Sequence, residues 1–394
     1  GLLTGLLPGL HPNSAGAILI GALGSDPSLP FVLVFMLGMH AVLEFLPSIF
    51  LGVPDADTEI SVLPGRRLFL EGKAAEAVMV CAVSAVLATA GALLLSPLTL
   101  SALPGIFSAV KPWTGWLLLA AAIALLVSEG KRKNKTGFEK IGSIGLALAV
   151  FLLAAALGGM ALAGPMPDPL FALFVGFFTM PSLLGVGEEA GEGTGGPARI
   201  KQQPLHLLKL DFLPYVLAGL LLGGLADLLP GISTPAQIAV FASLLVPIED
   251  ARHFLALVAS IAASHAAFAL TAAASIGVSR VGAVALASAV APIRPADLPL
   301  LLGAFALAMG LGALVMIGLG QTLAKYWDKI DMKALGLLMA VYLVCAVGLT
   351  DGWLGLAVLG AASAIGLLPV LFGVRRTHVM GAIIGPSLLH AFGL

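Results

Sequence analysis

The chain has 394 residues, of which 59% are hydrophobic and only 10% charged, with a mean hydropathy of +1.06. A soluble domain of this length needs far more polar surface. The net charge of −1, without a basic stripe carrying interleaved aromatics, excludes a nucleic-acid partner. The composition predicts an all-α, multi-pass protein of the cell membrane, bathed by the lipid bilayer. Its charges are clustered: residues 77–110, 112–128, 141–163, 298–324 and 352–374 contain no Asp, Glu, Lys or Arg. Several of these runs exceed the roughly 20 apolar residues that a helix needs to cross hydrocarbon.

The first element is a break. Leu6-Leu7-Pro8-Gly9-Leu10-His11-Pro12 puts Pro and Gly inside apolar sequence, and Asn13 and Ser14 follow. Pro8 removes a backbone donor and Gly9 loosens the chain, so backbone polar groups are freed. Hydrocarbon cannot solvate them, and such a break is tolerated only where protein or a water-filled cavity does. A helix restarting after the break presents N–H groups and a positive dipole end, which suit an anion. Capping by Ser14 is the structural alternative, compatible with the first.

An apolar stretch then carries His40 and, four residues on and therefore on the same helical face, Glu44. It ends in Gly52-Val53-Pro54. The segment 55–76 holds eight charges, among them Asp55, Glu71, Lys73 and Glu76, and reads as a solvated element at the membrane surface. Asp55 and Thr58, next to the Gly-Val turn, are its candidate site members. Cys81 and Cys345 lie in apolar runs and read as packing residues. Lys131, Arg132, Lys133, Lys135 and Lys140, like Lys325, Lys329, Lys333, Arg375 and Arg376 later, mark cytoplasmic ends. The spans between them turn on the other side, at Gly164–Pro169 and at Thr350-Asp351-Gly352.

A Gly- and Glu-rich linker at 187–197 separates a second series. Phe212–Leu225 leads into Asp227-Leu228-Leu229-Pro230-Gly231-Ile232-Ser233-Thr234, with Gln237 beyond. This Leu-Leu-Pro-Gly lies 222 positions after the first. Gly277-Val278-Ser279 answers Gly52-Val53-Pro54 at 225 positions, and His265 then falls opposite His40. Two repeats follow, 1–200 and 201–394, in parallel or inverted orientation. The counterpart of Phe212–Leu225 would precede Gly1, so the sequence is expected to lack its natural start. Paired breaks in two halves are the best pointer that sequence offers to a transport site.

The ionisable groups within apolar sequence are candidates for function. Arg280, after the second Gly-Val turn, suits a carboxylate or phosphate, or snorkels to headgroups. Asp227, beside the second break, suits a coupling Na⁺ held together with freed carbonyls, a proton, or a structural pair. His40 and His265 titrate near neutral pH and suit proton coupling, with Glu44 as partner to His40. The substrate site is therefore expected from Pro8, Gly9, His11, Asn13, Ser14, Gly52, Asp55 and Thr58 in the first half. Pro230, Gly231, Ser233, Thr234, Gln237, Gly277, Ser279 and Arg280 supply it in the second. The sequence has no His-Glu-x-x-His helix and no Gly-x-Ser-x-Gly elbow, and it reads as a transporter rather than an enzyme. No cofactor is expected beyond a possible coupling Na⁺.

The chain resembles the large membrane subunit of tripartite tricarboxylate transporters, the TctA family. The resemblance rests on Gly5-Leu6-Leu7-Pro8-Gly9, on Gly52-Val53-Pro54 with Thr58, on Gly72-Lys73-Ala74-Ala75-Glu76-Ala77, on Val175-Gly176-Phe177-Phe178, on Pro230-Gly231 and on Gly277-Val278-Ser279. It implies secondary transport of an organic anion, driven by Na⁺ or H⁺. It also implies a small membrane subunit and an extracytoplasmic binding protein as partners. The chain departs from the family pattern at Asp55, where the first turn usually has Gly, and at Ser279, where the second usually has Pro. The stretch 224–233 is also similar to polyprenyl-phosphate translocases, which leaves a lipid phosphate as the alternative substrate.

Overall fold

The computed structural model describes residues 1–7, 10–24, 26–52, 62–130, 137–183, 210–228, 238–239, 242, 248, 250–326 and 332–393. Among them the regular structure is helical throughout, and six stretches are long and apolar enough to span a membrane. The first half runs α1 (Leu2–Leu6), α2 (Pro12–Leu23), α3 (Leu29–Leu43), α4 (Phe45–Phe50), α5 (Val62–Leu70), α6 (Ala74–Val110), α7 (Thr114–Glu129) and α8 (Gly137–Ala163). It closes with α9 (Pro169–Phe174), a π-turn at Val175–Thr179, and α10 (Met180–Leu183). The second half runs α11 (Leu213–Leu225), α12 (Ala251–Ile276), α13 (Gly282–Val290), α14 (Leu298–Tyr326), α15 (Met332–Phe372) and α16 (Gly381–Phe392).

Local chemistry sets the boundaries. Asp26 accepts the Ser28 N–H at 2.8 Å before α3, and Asp250 accepts the Arg252 N–H at 2.8 Å before α12. The Asp250 carboxylate thereby accepts from an orphan donor of its helix start, Asp26 orders the turn that leads into α3, and both negative charges favour the helix dipole. The two helices end alike: the stretch Leu29–Phe50 ends at Gly52 and α12 ends at Gly277, each glycine at φ +67°. That left-handed conformation strains any residue with a Cβ. Gly352, at φ 63° and ψ −154°, divides α15 into two arms. They fold back on one another, bringing Leu343, Val347 and Leu359 into one cluster.

Packing gathers the helices into two bodies. In the first, the large core joins α3, α4, α6, α11, α12, α13 and α14. Its innermost members are α12 and Leu29–Phe50, whose apolar windows are 94% and 78% buried. Helix α11 lies close on α12 because Gly219 and Gly223 offer no side chain there; a Cβ on Gly219 would meet Ser260 Cβ at 2.5 Å. Small residues of this kind let membrane helices dock by close contact where lipid supplies no hydrophobic drive. In the second body, α7, α8, α9, the π-turn, α15 and α16 share separate clusters. The packing is reciprocal: α3 lies on α14 while α12 lies on α6, α13 lies on α3 while α5 lies on α12, and α8 packs on α16 while α9 and the π-turn pack on α15.

Polar contacts fix the ends. The Arg252 guanidinium holds Glu76 at 3.1 Å, Asp211 at 2.7 Å and Asp250 at 3.4 Å, so α6, α11 and α12 start at the same end. Burial would raise the Asp250 carboxyl, but the Arg252 N–H and guanidinium hold it below its ordinary value. Glu76 is buried in the first turn of α6, so the charged stretch expected at the surface ends before it. A partner for a carboxylate at a helix start outweighs solvation there. At the far ends of the second body, Arg375 N and His378 Nε2 lie 3.2 Å from Glu129 Oε2, and the Asp351 carboxylate accepts the Asp168 N–H at 2.7 Å. The basic connector therefore meets the end of α7, and the two acidic turns meet each other. Cys81 is buried as expected of a packing residue, whereas Cys345 lies on an exposed face of α15.

Candidate functional site

The restart after the first break is built by His11. It is the N-cap of α2, with its Nδ1 accepting the Asn13 N–H at 3.3 Å, and Pro12 takes the first helical position, where its missing N–H costs nothing. Ser14, expected as a cap, instead lies within the first turn of α2. The reason is stereochemical: Pro12 demands an extended residue before it, and His11 at ψ 150° supplies that conformation.

Behind His11 stands a second histidine. The His11 and His40 rings meet edge to face with centroids 5.0 Å apart. His40 Nε2 in turn lies 3.6 Å from Glu44 Oε2, with the two side chains 1% and 2% exposed. Glu44 sits where α3 passes into α4, three residues before Pro47. Pro47 cannot donate to the Leu43 carbonyl, so the carboxyl group stands at a second interruption of the main chain.

The first break also touches the second half. Asn13 lies directly over the backbone of Gly282, whose added Cβ would fall 2.5 Å from the Asn13 Cγ, Oδ1 and Nδ2. Asn13 Oδ1 is buried without a hydrogen-bond partner. Gly282 opens α13, and Ser279 Oγ accepts the Val281 N–H at 3.2 Å in the turn that follows Gly277. Two helix starts, α2 and α13, thus meet from opposite halves at Asn13 and Gly282, with half-buried His11 capping the one and Ser279 in the turn before the other.

The other expected site residues fall into three groups. His265 is buried in the middle of α12, alongside Gly223 of α11. Arg280 is exposed in the bend before α13, so the cost of burying a cation does not apply to it. The uncharged run after it, to Ile293, folds as the nine-residue α13 and then ends, which leaves Arg280 at a helix end. Pro8, Gly9, Asp55, Thr58, Pro230, Gly231, Ser233, Thr234 and Gln237 lie outside the described residues. Asp227 falls in the 3₁₀ turn that continues α11.

One buried pair escaped the sequence analysis. Glu129 and His378 are fully buried against each other, and Arg375 Nη1 donates to Ser128 Oγ beside them. Burial pulls the His378 imidazole below its ordinary value, and Glu129 only partly offsets it. The residues are 249 positions apart and share no motif, so only the folded chain brings them together.

Six stretches long and apolar enough to span a membrane, together with the shorter helices α2 and α13 whose starts meet, define a polytopic membrane protein. The chain belongs to the tripartite tricarboxylate transporter TctA family, whose model matches residues 1–381. This is a family of transporters, not of enzymes. The chain is also similar to the uncharacterized protein MJ1079 of Methanocaldococcus jannaschii, at 26% identity over 406 residues, covering 99% of this chain and 96% of that protein. No solved structure matches it.

Proposed function

We propose that this chain is the translocating membrane component of a tricarboxylate-type organic-anion transporter, built of two inverted repeats with its substrate site between α2 and α13. The observation that carries the reading is the meeting of Asn13, at the start of α2, with Gly282, at the start of α13. Two helix starts direct N–H groups and positive dipole ends toward one place, which is how a protein holds an anion without burying a free cation.

The placement of the charged ends supports inversion. In order of elements, the α7–α8 connection corresponds to the Gly352 turn, and the α8–α9 connection corresponds to residues 373–380. The first pair is basic and then acidic, the second acidic and then basic. Glu129, at the end of α7, meets Arg375 and His378, while Asp168 meets Asp351, which supports placing corresponding connections at opposite ends. The basic end faces the cytoplasm of a plasma-membrane protein. The reciprocal packing of α3 on α14 and α12 on α6, and the paired glycines 52 and 277, support the same symmetry. The two bodies then offer alternating access by moving against each other around the site. A small membrane subunit and an extracytoplasmic binding protein, as the family uses, complete the system.

The test is exchange of labelled citrate across vesicles that contain the purified chain, with polyprenyl phosphate as competitor. Wild type exchanges citrate, and Asn13→Ala lowers exchange at least tenfold with normal insertion. Exchange at the wild-type rate in Asn13→Ala removes the site from α2. Absence of citrate exchange together with transfer of the prenyl phosphate assigns the site to a lipid instead.

A further inference from the structure

We propose that the coupling ion is a proton, carried by the buried His40–Glu44 pair and communicated to the substrate site through His11. The inference rests on the anion-transport reading above and chooses its driving ion.

The pair has the composition of a proton site. An imidazole and a carboxyl group 3.6 Å apart, both buried, share one proton at no net charge, either as His⁺·Glu⁻ or as neutral His with Glu–COOH. A second proton gives the pair a charge of +1. Na⁺ prefers a shell of oxygens, as hard cations do, and an imidazole nitrogen is a poor member of it. Imidazole is the side chain that gains and loses a proton near neutral pH.

The pair is placed to influence an anion. His40 meets His11, and His11 caps α2 at the convergence with α13. The added charge therefore appears one ring behind the helix start that would face the substrate. Of the elements packed on α3, α1, α2, α4 and α13 hold no titratable side chain, α14 has none before Lys325, and α6 brings Glu76, which is held by Arg252, and the Cys81 thiol. Helix α12 brings His265, besides Arg252 and His253, of which Arg252 is committed to Glu76, Asp211 and Asp250. On the side of α4, Arg66 donates to the Phe50 carbonyl at 2.9 Å, six residues beyond Glu44. Arg280 stands in the bend before α13.

The two halves differ at this place. Counting from the Pro-Gly break, Ser233 answers His11. Counting from the Gly-Val turn, His265 answers His40 and Ala269 answers Glu44. A role in holding the fold would be needed twice in a protein packed reciprocally, whereas one titrating site per substrate needs the carboxyl once. A transported anion and the pair's extra proton compensate each other in charge, so the loaded carrier crosses with less net charge than the anion alone, and the emptied carrier returns with the pair neutral.

The experiment compares two modes of citrate movement in the same vesicles. Exchange of labelled for unlabelled citrate needs no net proton flow, whereas accumulation against a gradient needs the driving ion. Wild type accumulates citrate under an inward proton gradient without Na⁺, and an internal pH dye reports acidification with citrate entry. Glu44→Gln lowers accumulation at least tenfold more than it lowers exchange, and His40→Gln does the same, which keeps the test decisive if one variant fails to insert. Accumulation driven by Na⁺ alone overturns the inference while leaving anion transport standing. So does a loss in both variants that is equal for exchange and accumulation. Wild-type vesicles that exchange no citrate overturn both.

Discussion

Adding one methyl group at Gly282 should separate the two halves of the site. Its Cβ would lie 2.5 Å from the Asn13 side-chain amide, against an ordinary contact of 3.4 Å or more. Either the amide swings away or α13 retreats from α2. Overpacking a close contact costs about 1–3 kcal/mol, and at 1.4 kcal/mol per factor of ten that weakens a ligand held by both elements roughly 5- to 150-fold. Gly21 is the control, because it lies in the same helix α2 and a Cβ there meets nothing within 4 Å. Gly21→Ala should be neutral or more stable by up to about 1 kcal/mol, from helix propensity alone. The assay is citrate binding to purified protein by calorimetry, with thermal unfolding in detergent measured on the same samples. Gly282→Ala that binds and unfolds as Gly21→Ala does would refute the convergence of α2 with α13 as the basis of the site.

Two further outcomes follow from other parts of the fold. His378 has a folded-state pKa below its ordinary 6.5, so the unfolded chain takes up a proton that the folded chain resists. Stability contributed by this residue is therefore complete above the ordinary value and declines as pH falls below it. Thermal unfolding should shift downward between about pH 7 and pH 5, and His378→Gln should flatten that shift; an unchanged slope in the variant would assign the effect elsewhere. Inversion predicts opposite labelling by a thiol reagent that does not cross membranes. With Cys345 replaced by Ala, Pro167→Cys should react in intact cells and Arg375→Cys only after permeabilisation, and reaction of both from one side would refute the topology.

Much of this protein is written locally. Uncharged runs, the Pro-Gly break, Asp26 and Asp250 before long helices and the Gly-Val turns act through neighbours in the chain, where backbone donors, dipoles and φ angles are decided. Helix class, span positions and the spacing of His40 and Glu44 could therefore be read from residue order. Other features needed the folded chain. Which residue caps α2 depended on competition between His11 and Ser14, decided by the restriction that Pro12 places on the residue before it. Solvent exposure of Arg280 and burial of Glu76 depended on which helices end beside them, as did the pairing of Glu129 with His378. Apolar helices in lipid carry no periodic stripe to announce a partner, because both faces are hydrophobic. Partner choice falls instead to close packing of small residues and to a few buried polar contacts. Those contacts join positions that local chemistry does not couple, 269 apart for Asn13 and Gly282 and 29 apart for His11 and His40, so only the tertiary structure brings each pair together.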